Sequence, residues 1–371
     1  MQKRILFFIT SLAGGGAEKV LVNMVNHLDK TKFKVTVQTL FDVGINKKNL
    51  SNDIEYKYVF KHLFRGNTLL FKLFSPSFLF KHMIKGEYDI IISYFQGPTT
   101  RIIAGCTKPN VKLVQWIHNE FHNRNDIVHC YRNDSECIQL QKKFNATVYV
   151  ANSVKEAYLK TFPELEDSDH VLYNIVESEK IQQLSQEPIN NDNIFNHKFN
   201  LISVGRFIPQ KAFDRLLSIV AKLKNKEIDI GLTLLGVGYL EKNLKKRAKE
   251  LGIGNDVNFL GYQTNPYKYV KNADLFVCSS LHEGFSTAVT ESLIIGTPVI
   301  TTSCSGMQEL LGNNEFGVIV ENSESALYDG IKELLTNNFS LQHYKQKAEQ
   351  RAKHFDNQET LEKIQYFLYS L

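Results

Sequence analysis

The stretch DLFVCSSLHEGFSTAVTESLIIGTPVITT, residues 274–302, holds the clearest pattern in the chain. Its first part, DLFVCSS, is an apolar run that predicts a buried strand. The helical pattern STAVTESLIIG follows, and TPVITT predicts a second strand. Continuous apolar strands that alternate with helices are typical of a parallel sheet covered by helices on both faces. This segment therefore predicts a doubly wound α/β domain.

The same alternation extends over most of the chain, in two halves. The first half contains the predicted strands RILFFIT, FKVTVQTL, YDIIISYF, VKLVQWIH and TVYVANS, and the second half adds NLISVGRF, IGLTLLGVG and VNFLGY. A chain of 371 residues is too long for one ordinary core, so we expect two domains. The polar, Asn-rich residues 177–197 predict the linker. Because open α/β sheets bind ligands beyond the carboxyl ends of their strands, we expect the site in a cleft between the domains.

Composition excludes several classes of protein. Hydrophobic residues make up 43% and charged residues 22% of the chain, as in an ordinary globular protein. The five cysteines form no CxxC pair and no zinc-ligand pattern, which predicts free thiols in a reducing compartment. The amino-terminal apolar run is short and leads into a glycine loop, so it predicts a strand rather than a signal peptide. The sequence contains no apolar stretch of about 20 residues, so it predicts no membrane-spanning helix.

Two glutamates, Glu283 and Glu291, flank the start of the helix in the opening stretch. Ser286 or Thr287 is the expected N-cap, and the unpaired N–H groups of the first helical turn form an anion site. Carboxylates suit sugars because their oxygens accept hydrogen bonds from hydroxyls. The spacing alone is equally typical of a purely structural arrangement, in which Glu283 interacts favourably with the helix dipole and Glu291 faces solvent.

Residues 283–291, EGFSTAVTE, resemble the E-x7-E signature of the retaining glycosyltransferases of family four. That family has the GT-B fold, an α/β fold with two Rossmann-like, doubly wound domains facing a central cleft. Four further segments resemble family motifs: a basic phosphate pair, a Gly-rich strand end, an amino-terminal glycine loop and an active-site histidine segment. They are VGR (204–206) with Gln210 and Lys211, LLGVG (234–238), GGGAE (14–18) and WIHNE (116–120). Tyr239 departs from the family, whose members often have proline there.

The resemblance implies a role for each site residue. Glu283 and His118 are the expected catalytic pair: Glu283 binds the sugar hydroxyls, and His118 bonds the sugar and supports positive charge at the anomeric carbon. A lone histidine at a strand end is also typical of a core residue. Glu291 is expected to bind the ribose, and Arg206 with Lys211 the diphosphate. The full set expected to bind the donor is Gly15, Gly16, Arg206, Lys211, Gly236, Glu283, Gly284, Phe285, Ser286, Thr287 and Glu291.

No metal and no other cofactor is expected to be obligatory. The sequence has no DxD pair next to a predicted strand, and the two cations Arg206 and Lys211 suit a diphosphate in place of a metal ion. We expect these two cations to stabilise the negative charge that develops on the nucleoside diphosphate leaving group.

The resemblance further implies the reaction and the domains. We expect transfer of a sugar, with retention, from a nucleotide diphosphate sugar to a hydroxyl of a polyprenyl-diphosphate-linked saccharide in capsule or lipopolysaccharide O-antigen synthesis. UDP is the first expected nucleotide and GDP the second. Residues 1–185 are the expected acceptor domain, 186–353 the donor domain and 354–371 a helix crossing back to the first. The alternatives are a GT-B transferase with a soluble acceptor, a sugar-nucleotide epimerase, which would lack EGFSTAVTE, and a non-catalytic sugar-nucleotide-binding scaffold subunit.

A basic and aromatic stretch covers residues 56–86. It holds six cations, eight aromatic residues and no acidic residue, and residues 1–120 as a whole hold 17 Lys and Arg against 8 Asp and Glu. Cations with interleaved aromatics suit the surface of an anionic membrane. A pair of helices with a buried aromatic face would give the same composition, and no nucleic-acid-binding motif accompanies it. The sequence therefore predicts a peripheral protein on the inner face of the cytoplasmic membrane, with no nucleic-acid partner.

Overall fold

The computed structural model describes residues 2–121, 123–166, 170–189 and 194–371. These residues form two compact units, one made of residues 1–175 with 358–371 and the other of residues 176–357. Each unit is built around its own parallel sheet. Two α/β units with parallel sheets confirm the fold class predicted from the alternation of strands and helices.

The first unit contains a sheet of seven parallel strands within the described residues, in the order β3-β2-β1-β4-β5-β6-β7. Its strands are β1 (Lys3–Ile9), β2 (Phe33–Phe41), β3 (Glu55–Phe60), β4 (Ile90–Ser93), β5 (Lys112–Ile117), β6 (Ala146–Tyr149) and β7 (His170–Val171). The helices between them are α1 (Gly16–His27), α2 (Asn67–Leu73), α3 (Pro76–Met83), α4 (Pro98–Ile103), α5 (Asn125–Val128), α6 (Asp134–Gln141) and α7 (Asn152–Thr161), with a 3₁₀ turn at Asn46–Asn49.

The second unit contains six parallel strands among the described residues, in the order β10-β9-β8-β11-β12-β13. They are β8 (Phe199–Val204), β9 (Ile230–Leu235), β10 (Val257–Gly261), β11 (Leu275–Cys278), β12 (Val299–Thr302) and β13 (Val318–Val320). The helices are α8 (Ser178–Ser185), α9 (Phe213–Lys224), α10 (Glu241–Glu250), α11 (Tyr267–Lys271), α12 (Thr287–Ile295), α13 (Met307–Leu311), α14 (Glu324–Thr336) and α15 (Asn338–Ala352), with a 3₁₀ turn at Pro209–Lys211. The last helix, α16 (Asn357–Ser370), returns to the first unit.

Central strands are apolar on both faces because helices cover both. In β11, Val277 packs into the core formed with α9 and α14, whereas Phe276 and Cys278 pack into the core formed with α12 and α13. Side chains alternate between the faces of a strand, so a strand with two covered faces must be apolar throughout. Burying each such side chain contributes about 1.5–3 kcal/mol. This is the physical origin of the continuous apolar runs in the sequence.

The predicted linker, residues 177–197, begins with a helix, so that prediction was wrong for its first part. Residues Ser178–Ser185 form α8, and residues 190–193 lie outside the described residues. The helix buries Ile181 with Tyr267 of α11 and Ile294 of α12. Polar side chains on the other face of a surface helix lower the average hydrophobicity of the segment, which hid this short apolar stripe.

Three strands at the sheet edges, β3, β7 and β13, are absent from the sequence prediction. β3 is an edge strand of the first sheet and pairs only with β2 among the described strands. An edge strand is covered incompletely, so its side chains do not form a continuous apolar run. No helix in the described part of the chain is long and apolar enough to cross a membrane.

Candidate functional site

The second sheet brings two distant loops together because β8 pairs with both β9 and β11. Val204 ends β8, Cys278 ends β11, and the register aligns Leu275 with Leu201 and Phe276 with Ile202. Strand order reverses direction at this pair, and in doubly wound sheets such a switch point leaves a crevice at the carboxyl ends of the strands. The residues that follow β8 and β11 are the segments expected to bind the donor.

An ion pair joins these two loops. The Nζ atom of Lys211 lies 2.5 Å from Oε1 of Glu283, and both side chains are largely buried. Burial lowers the pKa of Lys211, but the negative charge of Glu283 and the hydrogen bond to it outweigh this effect, so the pKa is raised overall. The Ser280 hydroxyl also donates to Oε1 of Glu283. The pair is thus charged, desolvated and fixed in orientation.

Arg206 lies next to this pair but differs from it in exposure. Its side chain is exposed, and its positive charge lowers the pKa of Lys211. Among the described residues, no carboxylate forms an ion pair with Arg206. An exposed guanidinium beside a buried ammonium gives the loop after β8 a local excess of positive charge, which suits an anion.

Gly236 lies where the loop after β9 approaches the loop after β8. Its φ is +136°, and a Cβ there would lie 1.9 Å from the carbonyl oxygen of Gly205. Only glycine fits such a conformation and such a close approach. Tyr239, which stands where the family often has proline, is 74% exposed. Gly236 therefore shapes the backbone next to Arg206.

The start of α12 lies directly after Glu283. Ser286 is the N-cap, and its hydroxyl accepts from the amide of Val289, while Thr287 is the first helical residue. Glu291 lies on the second turn of α12, where Oε1 accepts a hydrogen bond of 3.4 Å from the Tyr267 hydroxyl. The placement of the N-cap and of Glu291 on the helix agrees with the sequence prediction.

Gly284 and Phe285 connect Glu283 to this N-cap. Gly284 is buried and Phe285 is half-buried against the α12 and α13 core. The loop between β12 and α13 packs closely over them, since a Cβ at Gly306 would lie 2.3 Å from the carbonyl oxygen of Gly284. This close packing restricts the path of the backbone between Glu283 and α12.

The glycine loop of the first unit follows β1. Gly15 is the N-cap position of α1, and Gly16 is its first residue. In the described part of the chain, none of the glycines at 14–16 has a positive φ. A Cβ at Gly15 would instead lie 2.3 Å from a carboxylate oxygen of Glu18. Because the end of a glutamate side chain can move, this contact does not require glycine at position 15, and no left-handed backbone requires it either.

His118 lies in the first unit, directly after β5. Its imidazole is buried against the ring of Tyr94, 4.5 Å between centroids, and burial lowers its pKa to about 3. Its amide donates to the Gln96 side chain, whereas Nε2 has no hydrogen-bond partner among the described residues. A neutral imidazole with an unsatisfied nitrogen suits hydrogen bonding to a ligand, and such orphaned atoms are rare in folded proteins.

Sequence reasoning missed the buried residue Arg215 on α9. Its guanidinium donates to the carbonyl oxygens of Ser279 and Ser280, directly before the loop of Glu283. The signal was present, because Arg215 interrupts the apolar stripe of α9 next to Leu216 and Leu217. Within the described residues, no group of three or more His, Cys, Asp or Glu side chains is placed to hold a metal ion.

Two protein-family models match the chain, one on each half. Residues 14–180 match the model described as Glycosyltransferase Family 4, and residues 185–351 match the one described as Glycosyl transferases group 1. Arg206, Lys211, Glu283 and Glu291 thus all lie in the group 1 region.

Two relatives from Campylobacter jejuni match almost the whole chain. One is an N-acetylgalactosamine-N,N'-diacetylbacillosaminyl-diphospho-undecaprenol 4-alpha-N-acetylgalactosaminyltransferase, 30% identical, with 96% of both chains covered. The other is a GalNAc-alpha-(1->4)-GalNAc-alpha-(1->3)-diNAcBac-PP-undecaprenol alpha-1,4-N-acetyl-D-galactosaminyltransferase, 26% identical, with 95% of this chain and 94% of that one covered.

A solved structure shows the same fold. The crystal structure of HepE from Anabaena in complex with UDP and glucose matches with a TM-score of 0.78 and 19% identity, and both chains are covered completely. The GT-B fold predicted from the resemblance is therefore confirmed. With 30% identity to a transferase along its length and a family model on each half, the chain is a glycosyltransferase and belongs to glycosyltransferase family four.

Proposed function

We propose that the protein transfers a sugar, with retention, from a nucleotide diphosphate sugar to a hydroxyl of a saccharide carried on polyprenyl diphosphate. The Lys211–Glu283 pair at the end of β8 and β11 carries this proposal, because it fixes a carboxylate beside two cations in the region that matches group 1. The names of both Campylobacter relatives, which specify undecaprenol-linked acceptors, support the acceptor class. A role in surface polysaccharide synthesis is part of the proposal and follows from the resemblance to the family.

Each proposed donor contact follows from the chemistry of a side chain. Glu283 accepts hydrogen bonds from sugar hydroxyls, and Glu291 accepts from the ribose. Arg206 and Lys211 neutralise the diphosphate as charge develops on the leaving group, with help from the N–H groups at Phe285 and Ser286. The same fold binds UDP in HepE, which supports UDP as the nucleotide, with GDP as the second candidate.

The test combines purified protein, a polyprenyl-diphosphate-linked saccharide and a panel of UDP- and GDP-sugars. We expect mass spectrometry to show that the lipid-linked saccharide gains one sugar as nucleoside diphosphate is released. Glu283→Gln should lower kcat by about 100-fold or more. Glu324→Gln, which removes a carboxylate paired with Lys222 on the surface, is the control and should keep full activity.

Three other outcomes would contradict parts of the proposal. Full activity of Glu283→Gln would remove the site assignment. Transfer to a soluble saccharide but not to the lipid-linked one would favour the soluble-acceptor alternative. Donor binding, seen as a rise in melting temperature, without transfer to any acceptor would favour a scaffold subunit.

We also propose that Arg206 and Lys211 make a metal ion unnecessary. The two cations stand 5 positions apart on the loop after β8, and the charge of one acts on the other. Activity should therefore persist after dialysis against EDTA, whereas Arg206→Ala should lower kcat/KM by more than about tenfold. Loss of activity in EDTA that is restored by Mg²⁺ or Mn²⁺ would contradict this proposal.

Membrane contact through residues 56–86 is the last part of the proposed function. Half of its aromatic side chains belong to the core, since Phe71 and Phe80 are buried and Phe60 and Phe64 pack against them. Around them is an exposed apolar surface at α2, α3 and the preceding turn. Its members are Leu63, Leu69, Leu70, Leu73, Phe74 and Phe78, each between 38% and 74% exposed.

Hydrogen bonds from a buried side chain fix the backbone at the end of α2, which carries part of this exposed apolar surface. Arg101, which is fully buried and paired with Glu136, donates to the carbonyl oxygens of Phe71 and Phe74 at the end of α2. The same stretch also carries exposed cations, namely Lys61, Arg65, Lys81 and Lys85. Exposed leucine and phenylalanine side chains, with exposed cations and no acidic residue in the same stretch, fit an anionic bilayer.

Vesicle flotation tests the membrane contact. With phosphatidylglycerol vesicles we expect the protein to float, and we expect Leu69→Gln with Leu73→Gln to reduce binding at least about tenfold. Changing Lys61, Arg65 and Lys81 to Glu should abolish binding at low salt. Phe339→Gln, which replaces an equally exposed aromatic on α15, is the control and should bind normally. Normal binding by both the Leu69/Leu73 variant and the charge-reversal variant would refute the role of this surface.

A further inference from the structure

The four residues before Glu283 are held by side chains in an unusual way. Each carbonyl oxygen from residue 279 to residue 282 accepts a hydrogen bond from a side chain of another element. The donors are Arg215 to Ser279 (2.8 Å) and to Ser280 (2.9 Å), Thr302 to Ser280 (2.6 Å), Asn322 to Leu281 (2.7 Å) and Gln210 to His282 (2.9 Å). This loop, residues 279–282, is therefore fixed at every peptide although it lies outside the sheet.

Arg215 is the central donor of this arrangement. It spans two carbonyls of the loop, and its Nη1 atom donates to the Asn322 side chain at 2.9 Å, so it also orients a second donor. Burial lowers its pKa, and no carboxylate among the described residues lies within ion-pair distance. Because a buried guanidinium is unfavourable unless it is compensated, neutral carbonyls are poor partners for fold stability alone. Its planar guanidinium group has five N–H donors and can hold several acceptors in a fixed geometry at once.

The loop transmits this geometry to both members of the ion pair. The Ser280 hydroxyl, whose own carbonyl is held by Arg215, donates to Glu283. The Ser279 hydroxyl donates to the backbone carbonyl of Lys211 at 2.8 Å. Moving the peptides at 279 and 280 would therefore displace the carboxylate and the ammonium together.

We propose that Arg215 is a positioning residue for donor-sugar recognition, acting through residues 279–282 on the Glu283 carboxylate. The inference rests on the proposed role of Glu283 in binding the sugar. It separates two parts of the donor, because the loop at 279–282 holds Glu283 and Lys211, which would bind the sugar and the diphosphate, whereas the ribose would be bound by Glu291 on α12. A misplacement of about 1 Å in a reacting group is enough to cost about 100-fold in rate.

Arg215→Lys is the direct test, since it keeps the charge and removes the fork. We expect kcat with the nucleotide sugar to fall by about 10- to 100-fold, while the Kd for the free nucleoside, which has no diphosphate for Lys211 to bind, changes by less than about twofold. In a Glu283→Gln background the same substitution should have little further effect on kcat, because both changes act on one carboxylate.

A matched control separates positioning from general stability. Arg351 also places its guanidinium on two backbone carbonyls, of Glu309 and Leu310 on α13, in the same unit. Arg351→Lys should lower the melting temperature to a similar degree and leave kcat within about twofold. If Arg215→Lys does not fold, Asn322→Ala provides the test, because it frees the carbonyl of Leu281 and should also lower kcat without changing the affinity for the free nucleoside.

The possible failures are distinguishable. If Glu283→Gln is inactive but both Arg215→Lys and Asn322→Ala keep full kcat, the positioning role is refuted and the proposed function stands. Equal effects of Arg215→Lys and Arg351→Lys on kcat, or additive effects with Glu283→Gln, would also refute it. Full activity of Glu283→Gln would overturn the proposed site itself.

Discussion

Lys211 and Glu283 are 72 positions apart in the chain, yet their charged atoms are in contact. The residue types were predictable, because both belong to motifs that resemble those of a known family. Their contact depends on the pairing of β8 with β11, which the order of elements along the chain does not reveal. Removing either partner alone would leave a buried, uncompensated charge, so the pair stabilises the site only when complete.

His118 is the other residue whose environment the structure defines. Burial holds the pKa of its imidazole at about 3, below the ordinary 6.5. An unfolded chain therefore binds a proton at this residue between about pH 6.5 and pH 3, and the folded chain does not. Stability must accordingly fall as the pH is lowered through that window, by at most about 1.4 kcal/mol per pH unit.

We predict that His118→Gln makes the loss of stability in acid shallower. Glutamine does not titrate, so the variant takes up no proton at this position when it unfolds in acid. Urea denaturation between pH 7 and pH 4.5 measures the effect as a smaller change in the free energy of unfolding. His62→Gln, at an imidazole that is exposed to water, is the control and should keep the wild-type slope. Identical slopes for His118→Gln and wild type would contradict a buried, neutral His118.

Among the elements, α12 matters most for the site, because its amino terminus lies directly after Glu283. Ser286 accepts from the Val289 amide there, as Ser323 does from Ala326 at the start of α14. The two caps are chemically alike, but only the first lies at the proposed phosphate position. Removing either cap should therefore destabilise the protein by a similar amount, so the two serines can be compared directly.

We predict that Ser286→Ala and Ser323→Ala each lower the free energy of unfolding by about 1 kcal/mol, because each loses one N-cap acceptor. Only Ser286→Ala should also weaken UDP binding, by several-fold, since its helix start contributes N–H groups to the phosphate site. Urea denaturation and calorimetric titration with UDP measure the two effects. Equal UDP affinity in both variants would show that α12 does not bind phosphate.

At the scale of the whole molecule, the chain leaves its first unit near residue 175 and returns to it at residue 358. The returning helix α16 buries Ile364, Phe367 and Leu368 in the first unit, and the ring of Phe367 lies 4.7 Å from that of His170. The first unit thus includes a helix that follows the whole second unit in the chain. Its stability should depend on residues far from it in sequence.

We predict that Phe367→Ala destabilises the first unit by about 3–5 kcal/mol, because it opens a cavity in a buried contact. Hydrogen exchange with mass spectrometry should show reduced protection in peptides from β1 and β2, but not in peptides from β8 and β9. Tyr366→Ala removes a neighbouring ring that is 78% exposed and should change protection little. Equal loss of protection in both units would contradict this division of the molecule.

The sequence by itself determined the fold class and the central strands of both sheets, and it supplied the candidate site residues. Continuous apolar runs report strands that are covered on both faces, and this information is local. The local pattern did not predict β3 or α8, because polar side chains lower the average hydrophobicity of both segments. Arg215 was also missed, although a cation in the apolar stripe of α9 marks a side chain that needs buried acceptors.

Only the tertiary structure decided which of these residues meet. The contact of Lys211 with Glu283, the four carbonyls held beside it and the return of α16 all join segments that are far apart in the chain. Such contacts depend on strand order and on register. A local pattern of hydrophobicity shows that a strand exists but not which strand lies beside it.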